Sequence, residues 1–331
     1  MRVTVLGAGS WGTTVAALAC GRNTATLWAR SADVADAVNK KHENPTYLSG
    51  FPLPGRLAAT SDIEEAVTNA ELLIVGVPSH GFRETLQLAA PYVHPWIPVV
   101  SLTKGFEQGS LLRMTQVINE VLPGRPAAAL TGPNLAKEIM AGHAAASVIA
   151  TKDLAVAGAL QSVLTRGLFR IYTNHDVIGC EVGGALKNVI AIATGIAEGL
   201  SVGDNTRAGV ISRGLAELTR LGVAMGAEPA TLAGLAGMGD LIATCISPLS
   251  RNRTVGERLG KGERIEDIIA SMRMVAEGVK TASTVMELAE RYQVDLPICA
   301  EIRNVVTGHA GAIDAYRGLL RARPGHESDP G

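Results

Sequence analysis

The stretch RVTVLGAGSWGTTVAALAC, residues 2–20, decides how the chain begins. Arg2–Leu6 is a short β-branched run, Gly7-Ala8-Gly9-Ser10-Trp11-Gly12 has a GxGxxG spacing, and residues 13–20 continue with helix-forming content. Glycines at this spacing say little by themselves, but here they leave a strand and open a helix. In that setting Gly7 permits a tight turn, Gly9 lets the backbone approach a pyrophosphate, and Gly12 lets helix and strand pack closely. The first helical turn then offers N–H groups to phosphate oxygens. An export signal ending at Leu18-Ala19-Cys20 is the competing reading. It fits poorly with glycines at fixed spacing and with the strand that follows.

Outward from this turn, ATLWAR (25–30) reads as a second strand, followed by a helix with Asp33 and Asp36 near its start. An NAD-binding chain would place Asp or Glu on the ribose 2′-hydroxyl here. Arg30 and Ser31 stand there instead, and a guanidinium beside a hydroxyl suits a 2′-phosphate. NADPH is therefore favoured over NADH, although an arginine that stacks on adenine accepts either. Residues 44–59 hold three prolines and two glycines and read as loop or short strand. TSDIEEAVTNA (60–70) reads as a capped helix. ELLIVGVPS (71–79), PVVSLTKG (98–105), AAALTGPN (127–134) and HAAASVIAT (143–151) look like strands buried on both faces and joined by crossover helices.

This alternation gives a doubly wound α/β unit over residues 1–180. Residues 181–320 lose nearly all strand signals and read as an all-helical second domain. Residues 321–331, RARPGHESDPG, have no apolar periodicity and read as a disordered tail.

Composition narrows the partners. Of 331 residues, 47% are apolar and 18% charged, with a formal net charge of −1, no basic run and 4% aromatics. That argues against nucleic-acid binding. Cys20, Cys180, Cys245 and Cys299 lie far apart without metal-ligand spacing, so they read as free thiols, and no metal site is expected. No stretch of about 18 apolar residues lacks a charge or strong polar group, so no membrane insertion is expected.

GGALKNVIAIATG (183–195) reads as a buried helix interrupted by Lys187 and Asn188. A lysine can bury its stem and carry the ammonium to the surface, or the amine can be held in a cleft for chemistry. GMGDLIATC (237–245) places Asp240 and Thr244 in a turn leading to a helix, where the aspartate also suits an N-cap. Ser250, Arg251 and Asn252 follow Pro248 in a loop. They combine a guanidinium fork with neutral donors, as a phosphate needs, or form a solvated basic loop with Arg253. Lys104 ends a strand, where open α/β sheets bind ligands.

The segments GAGSWGTTVA, SLTKGFE, GPNLAKEI, GGALKNVIAIATG, GMGDLIATC and SRNRTVG occur in this order. Together they closely resemble the bacterial NAD(P)-dependent glycerol-3-phosphate dehydrogenases, over roughly residues 1–320. The resemblance implies a Rossmann-type N-terminal domain, a helical C-terminal domain and a cytoplasmic homodimer. It also implies interconversion of dihydroxyacetone phosphate and sn-glycerol 3-phosphate, the latter feeding phospholipid synthesis. It makes Lys187 the acid/base, organised by Asn188, Asp240 and Thr244. Substrate contacts fall to Lys104, Gly132, Asn134, Lys187, Asp240, Ser250, Arg251 and Asn252. Cofactor contacts fall to Gly7, Gly9, Ser10, Trp11, Gly12, Arg30, Lys104, Ala136, Arg251, Val275 and Glu277. At Asn134 this chain departs from the family, which usually has Ser or Thr there.

The chemistry is coherent. Reducing a ketone by hydride leaves an alkoxide, which a positioned ammonium stabilises and protonates without a metal. Two alternatives keep the architecture: a hydroxy-acid dehydrogenase, with a carboxylate in place of the phosphate, and a non-catalytic dinucleotide sensor.

Overall fold

The computed structural model describes residues 1–272 and 275–321. The expected tail lies outside the described residues from 322 onward. The chain divides into two compact units. The first comprises Met1–Thr103 and Leu112–Val177, and the second Lys104–Leu111 with the chain from Ile178 onward.

The first unit is built on one eight-stranded sheet. Its strands are β1 (Arg2–Leu6), β2 (Thr24–Trp28), β3 (Ala58–Thr60), β4 (Leu72–Val75), β5 (Val99–Ser101), β6 (Ala127–Thr131), β7 (Ala145–Ala150) and β8 (Phe169–Asn174), in the order β3-β2-β1-β4-β5-β6-β7-β8. The order reverses at β1, which pairs in parallel with both β2 and β4, so that Val5 lies between Leu27 and Ile74. Side chains of alternate parity then enter two separate cores. Val3, Val5, Leu27, Leu72 and Ile74 pack into one, and Leu6, Leu73, Val75 and Val99 into the other. A sheet buried on both faces explains why these strands read as nearly continuous apolar runs.

Two features depart from the sequence expectation. β7 runs antiparallel to β6. The segment joining them contains only the five-residue helix Ala136–Met140, a short element for the crossover that a parallel pair requires. β8 pairs in parallel with β7 at the sheet edge and was not expected at all. Its residues FRIYTN alternate buried and exposed at their start, with Phe169 and Ile171 inward. That is the pattern of a half-covered edge strand rather than of a buried one.

Among the described residues no strand follows Asn174. The second unit is organised around the helix Val177–Gly199. By length and apolarity this helix could cross a membrane, but its apolar window is 94% buried inside the protein. It is the core helix, packed among Leu218, Leu221, Leu241, Val255 and Val285. The apolar run Pro229–Ile246 passes the same test of length and composition and is 44% buried.

Close approach to the helix Arg251–Gly260 depends on small residues. A Cβ at Gly256 would collide with the Ile192 carbonyl oxygen, and one at Gly195 with the Arg253 carbonyl oxygen. This backbone-to-backbone packing accompanies the placing of Asn188 beside Asn252 at the start of that helix. Elsewhere in the unit, the buried Glu217 carboxylate accepts the Ile298 and Cys299 N–H groups at 2.6 and 3.1 Å. It thereby caps a helix, Pro297–Val306, whose own N-cap Leu296 has no acceptor side chain. Burial pushes the Glu217 pKa up, opposed by these two hydrogen bonds.

Candidate active site

In the first unit the glycine turn takes the geometry its sequence required. Gly7 has φ +110°, a conformation that side chains with a Cβ rarely adopt, and a Cβ there would lie 2.9 Å from the Gly76 carbonyl carbon. A Cβ on Gly12 would collide with the Gly7 carbonyl oxygen, so this glycine keeps helix and turn together. Gly9 is different, because a Cβ there would meet nothing within 4 Å. The space beside Gly9 is open.

The helix Ser10–Ala19 starts next to that opening with no side-chain cap and no acidic residue in its first turn. Its first N–H groups lack helical acceptors, which is the donor set an anion needs. These residues fit a dinucleotide pyrophosphate. Trp11 is half-buried and packs edge-on against Phe169, with ring centroids 6.0 Å apart, so its ring is part of the core beside the loop. Arg30 is exposed just beyond the end of β2, at the adenosine-ribose position of such folds. Gly132, with φ +116°, and Asn134 follow β6, and Ala136 opens the short helix after them.

The second unit gathers the remaining expected residues. Lys187 is 5% exposed and does not reach the surface. Its ammonium donates to Asp240 Oδ1 at 2.5 Å and to Thr244 Oγ1 at 2.7 Å. Asp240, 1% exposed, is the first residue of the helix Asp240–Ile246. It does not cap that helix, because its other oxygen accepts Lys104 Nζ at 2.7 Å. One carboxylate thus bridges two ammonium groups. Thr244, one turn along, lies on the same helix face and donates to the Asp240 carbonyl at 2.6 Å.

Burial, together with the neighbouring Lys187 charge, pulls the Lys104 pKa down to about 7, although Asp240 opposes the shift. Cys245, adjacent to Thr244, is buried, and its thiol is pushed up to about 11, so it stays protonated at neutral pH. All four cysteines are free and buried. Among the described residues no group of three His, Cys, Asp or Glu side chains could hold a metal ion.

Ser250, Arg251 and Asn252 form a helix start rather than a loop. Ser250 is the N-cap of Arg251–Gly260, its Oγ accepting the Arg253 N–H at 3.3 Å. This corrects the sequence expectation, for which the Ser-x-x-Arg spacing gave no strong helix signal. Arg251 is exposed, and its Nη1 donates to the Val275 carbonyl at 2.7 Å, just before Glu277 opens the helix Glu277–Tyr292. Asn252 is buried and donates to Asn188 Oδ1 at 2.9 Å, while accepting the Gly278 N–H at 3.0 Å. Asn188 Nδ2 donates to the Lys104 carbonyl at 3.2 Å. The sequence did not point to Gly278 or to the Lys104 carbonyl, since backbone groups carry no residue-type signal.

A sheet whose order reverses at a glycine turn, with a helix N-terminus open to phosphate, defines a dinucleotide-binding protein. In the second unit a buried lysine pair on one carboxylate is a site of the kind proton-transfer chemistry uses. Residues 2–157 match the model of the NAD-dependent glycerol-3-phosphate dehydrogenase N-terminus, and residues 176–317 that of its C-terminus. The chain is 57% identical over 331 residues to glycerol-3-phosphate dehydrogenase [NAD(P)+] 2 of Sphingopyxis alaskensis, covering 100% of this chain and 99% of that relative. It is 51% identical over 327 residues to the glycerol-3-phosphate dehydrogenase [NAD(P)+] of Mycobacterium avium, covering 98% and 96%. The crystal structure of the Coxiella burnetii glycerol-3-phosphate dehydrogenase superposes with a TM-score of 0.93 at 33% identity, covering 97% of this chain and 99% of that one. The chain belongs to the NAD-dependent glycerol-3-phosphate dehydrogenase family.

Proposed function

We propose that this enzyme interconverts dihydroxyacetone phosphate and sn-glycerol 3-phosphate with NADPH or NADH. The observation that carries the reading is the Lys104–Asp240–Lys187 cluster. Two lysines share one carboxylate in a largely buried setting, so with Lys104 protonated, below about pH 7, these three side chains carry a net positive charge for an anionic substrate. When bound, the reduced nicotinamide supplies the hydride that reduces the substrate ketone at C2.

The chain's own residues manage the oxygen at that carbon. An ammonium has three N–H donors, and Lys187 uses two, on Asp240 and Thr244. Its third is available to stabilise the developing alkoxide and then to protonate it, and the reverse direction uses the same amine as base. Asp240 keeps Lys187 aimed, and Thr244 fixes both, accepting from the Lys187 ammonium and donating to Asp240. Arg251, with Ser250 and Asn252 beside it, meets the phosphate as a planar donor fork. Gly132 and Asn134 lie nearer the glycine loop in sequence and complete the substrate contacts. Asn134 can donate to a substrate oxygen as the usual hydroxyl would. Gly7, Gly9, Ser10, Trp11 and Gly12 carry the cofactor phosphates, with Arg30 on the adenosine side and Ala136, Val275 and Glu277 as further contacts.

The family resemblance also supports a homodimer in the cytoplasm that supplies sn-glycerol 3-phosphate for glycerophospholipid synthesis. Four free thiols suit a reducing compartment.

The test is absorbance at 340 nm with dihydroxyacetone phosphate and either cofactor, for wild type and Lys187→Ala. With Arg30 on a 2′-phosphate, wild type should oxidise NADPH faster than NADH at equal concentrations, whereas equal rates would mean that Arg30 stacks on adenine. The variant should lose about 10²- to 10⁴-fold in kcat while NADPH binding, followed by fluorescence, is retained. Absence of turnover by wild type with either cofactor refutes the substrate assignment, and an active variant refutes the role of Lys187.

A further inference from the structure

The helix Glu277–Tyr292 begins at an N-cap, Ala276, that has no acceptor side chain. Its Gly278 N–H is satisfied from another helix, by Asn252 Oδ1 at 3.0 Å. Asn252 Nδ2 passes the bond on to Asn188 Oδ1 at 2.9 Å. Asn188 Nδ2 then donates to the Lys104 carbonyl at 3.2 Å and to the Gly184 carbonyl at 3.3 Å. Both asparagines are buried, at 7% and 5% exposure. The series ends on the residue whose ammonium holds Asp240 Oδ2 at 2.7 Å, opposite Lys187.

The direction of this series is fixed by its ends. A peptide N–H only donates and a peptide carbonyl only accepts. Asn252 must therefore turn its oxygen to Gly278 and its nitrogen to Asn188. Asn188 in turn must present its oxygen to Asn252 and its nitrogen to Lys104. If either amide turned over, two acceptors or two donors would meet in a buried place, which is costly. An aspartate at position 252 or 188 breaks one link unavoidably, because it has no donor to pass on.

We propose that Asn188 and Asn252 are positioning residues, a two-amide relay that ties the start of the Glu277–Tyr292 helix to the Lys104 backbone and so sets where the Lys104 ammonium meets Asp240. The inference rests on the dehydrogenase reading above and deepens it. It changes the emphasis at Asn252: its oxygen and one N–H serve the relay, and a phosphate contact is left to the remaining N–H.

The discriminating substrate is dihydroxyacetone, which has the reacting ketone but no phosphate. Asn252→Asp is compared with wild type on dihydroxyacetone phosphate and on dihydroxyacetone, alone and in a Lys104→Met background. A relay predicts a kcat loss of roughly ten- to hundredfold that is similar on both substrates. It also predicts that the loss shrinks to less than about twofold once Lys104 is gone, since the hydrogen bonds that link the two residues run through Asn188. A loss confined to KM for the phosphorylated substrate overturns the proposal, and so does full multiplication of the two effects.

Should the aspartate variant not fold, Asn252→Ser, whose shorter side chain reaches neither Gly278 nor Asn188, removes both links without adding a charge. A crystal structure of the ligand-free serine variant provides a readout independent of turnover. Displacement of Lys104 Nζ beyond 3.5 Å from Asp240 Oδ2 supports the relay, and an unchanged distance refutes it. If wild type itself fails to turn over, the dehydrogenase reading falls, and this structural comparison still decides the relay.

Discussion

Lys104 shows how much a single side chain can be forced by its setting. Its side chain is largely buried and its ammonium shares Asp240 with a second ammonium, so burial and like charge both favour the neutral amine. With the pKa down at about 7, the group is charged below neutrality and loses its proton as pH rises through 7. An anionic substrate binds the charged form better, so kcat/KM, which reports the free enzyme, should fall above about pH 7. Lys104→Arg keeps its charge throughout this range. Initial rates at low dihydroxyacetone phosphate from pH 6 to 9 should therefore fall in wild type and stay flatter in the arginine variant. Titration of the substrate is common to both enzymes and cancels in their ratio. Matching profiles would mean that Lys104 does not titrate in this range.

At the scale of elements, the glycine turn separates folding from binding within four residues. Gly9 has open space where a Cβ would stand, whereas at Gly12 the Gly7 carbonyl oxygen occupies it. Gly9→Ala should leave the melting temperature unchanged within about 2 °C, because a loss below 0.5 kcal/mol moves it little, and should weaken NADPH binding about tenfold or more. Gly12→Ala should destabilise the first unit by about 1–3 kcal/mol or prevent folding. Thermal melts with fluorescence titration check both, and a Gly9→Ala protein that binds NADPH normally would remove the cradle from the cofactor site.

The turn was legible because three glycines, a preceding strand and a following helix all agreed. The strands from β4 to β7 were legible as apolar runs, but the antiparallel direction of β7 was not, since apolarity carries no direction. β8 escaped notice because half of FRIYTN faces outward at an edge. In the second unit Lys187 stood out as an anomaly in an apolar helix, and Asp240 with Thr244 were readable as neighbours one turn apart. The Ser250 cap is local, but without a Glu or Gln three residues on it lacks the fuller capping-box signal; the bonds that end on Gly278 and Lys104 depend on how separate segments meet, and no local pattern encodes that.

For the molecule as a whole, the same lysine links the chemistry to stability. The unfolded chain holds a proton on Lys104 up to about pH 10.4, but the folded second unit holds it only up to about 7. Below pH 7 both states are protonated, the cost of the buried charge is fully present, and stability does not vary with pH through this group. Between about 7 and 10.4 the unfolded state binds more protons, so folding free energy grows with pH, by at most about 1.4 kcal/mol per pH unit. Lys104→Met removes this dependence while retaining an apolar stem of similar length. Urea denaturation of both proteins at pH 6.5, 7.5, 8.5 and 9.5, without substrate or cofactor, isolates it, because every other titrating group is common to the pair. The stability of wild type relative to the variant should rise steadily across the series, and a constant difference would place the folded pKa of Lys104 outside this window. A rise in stability over the pH range where kcat/KM falls would locate the cost of function in one place, a second buried cation kept charged because the substrate is an anion.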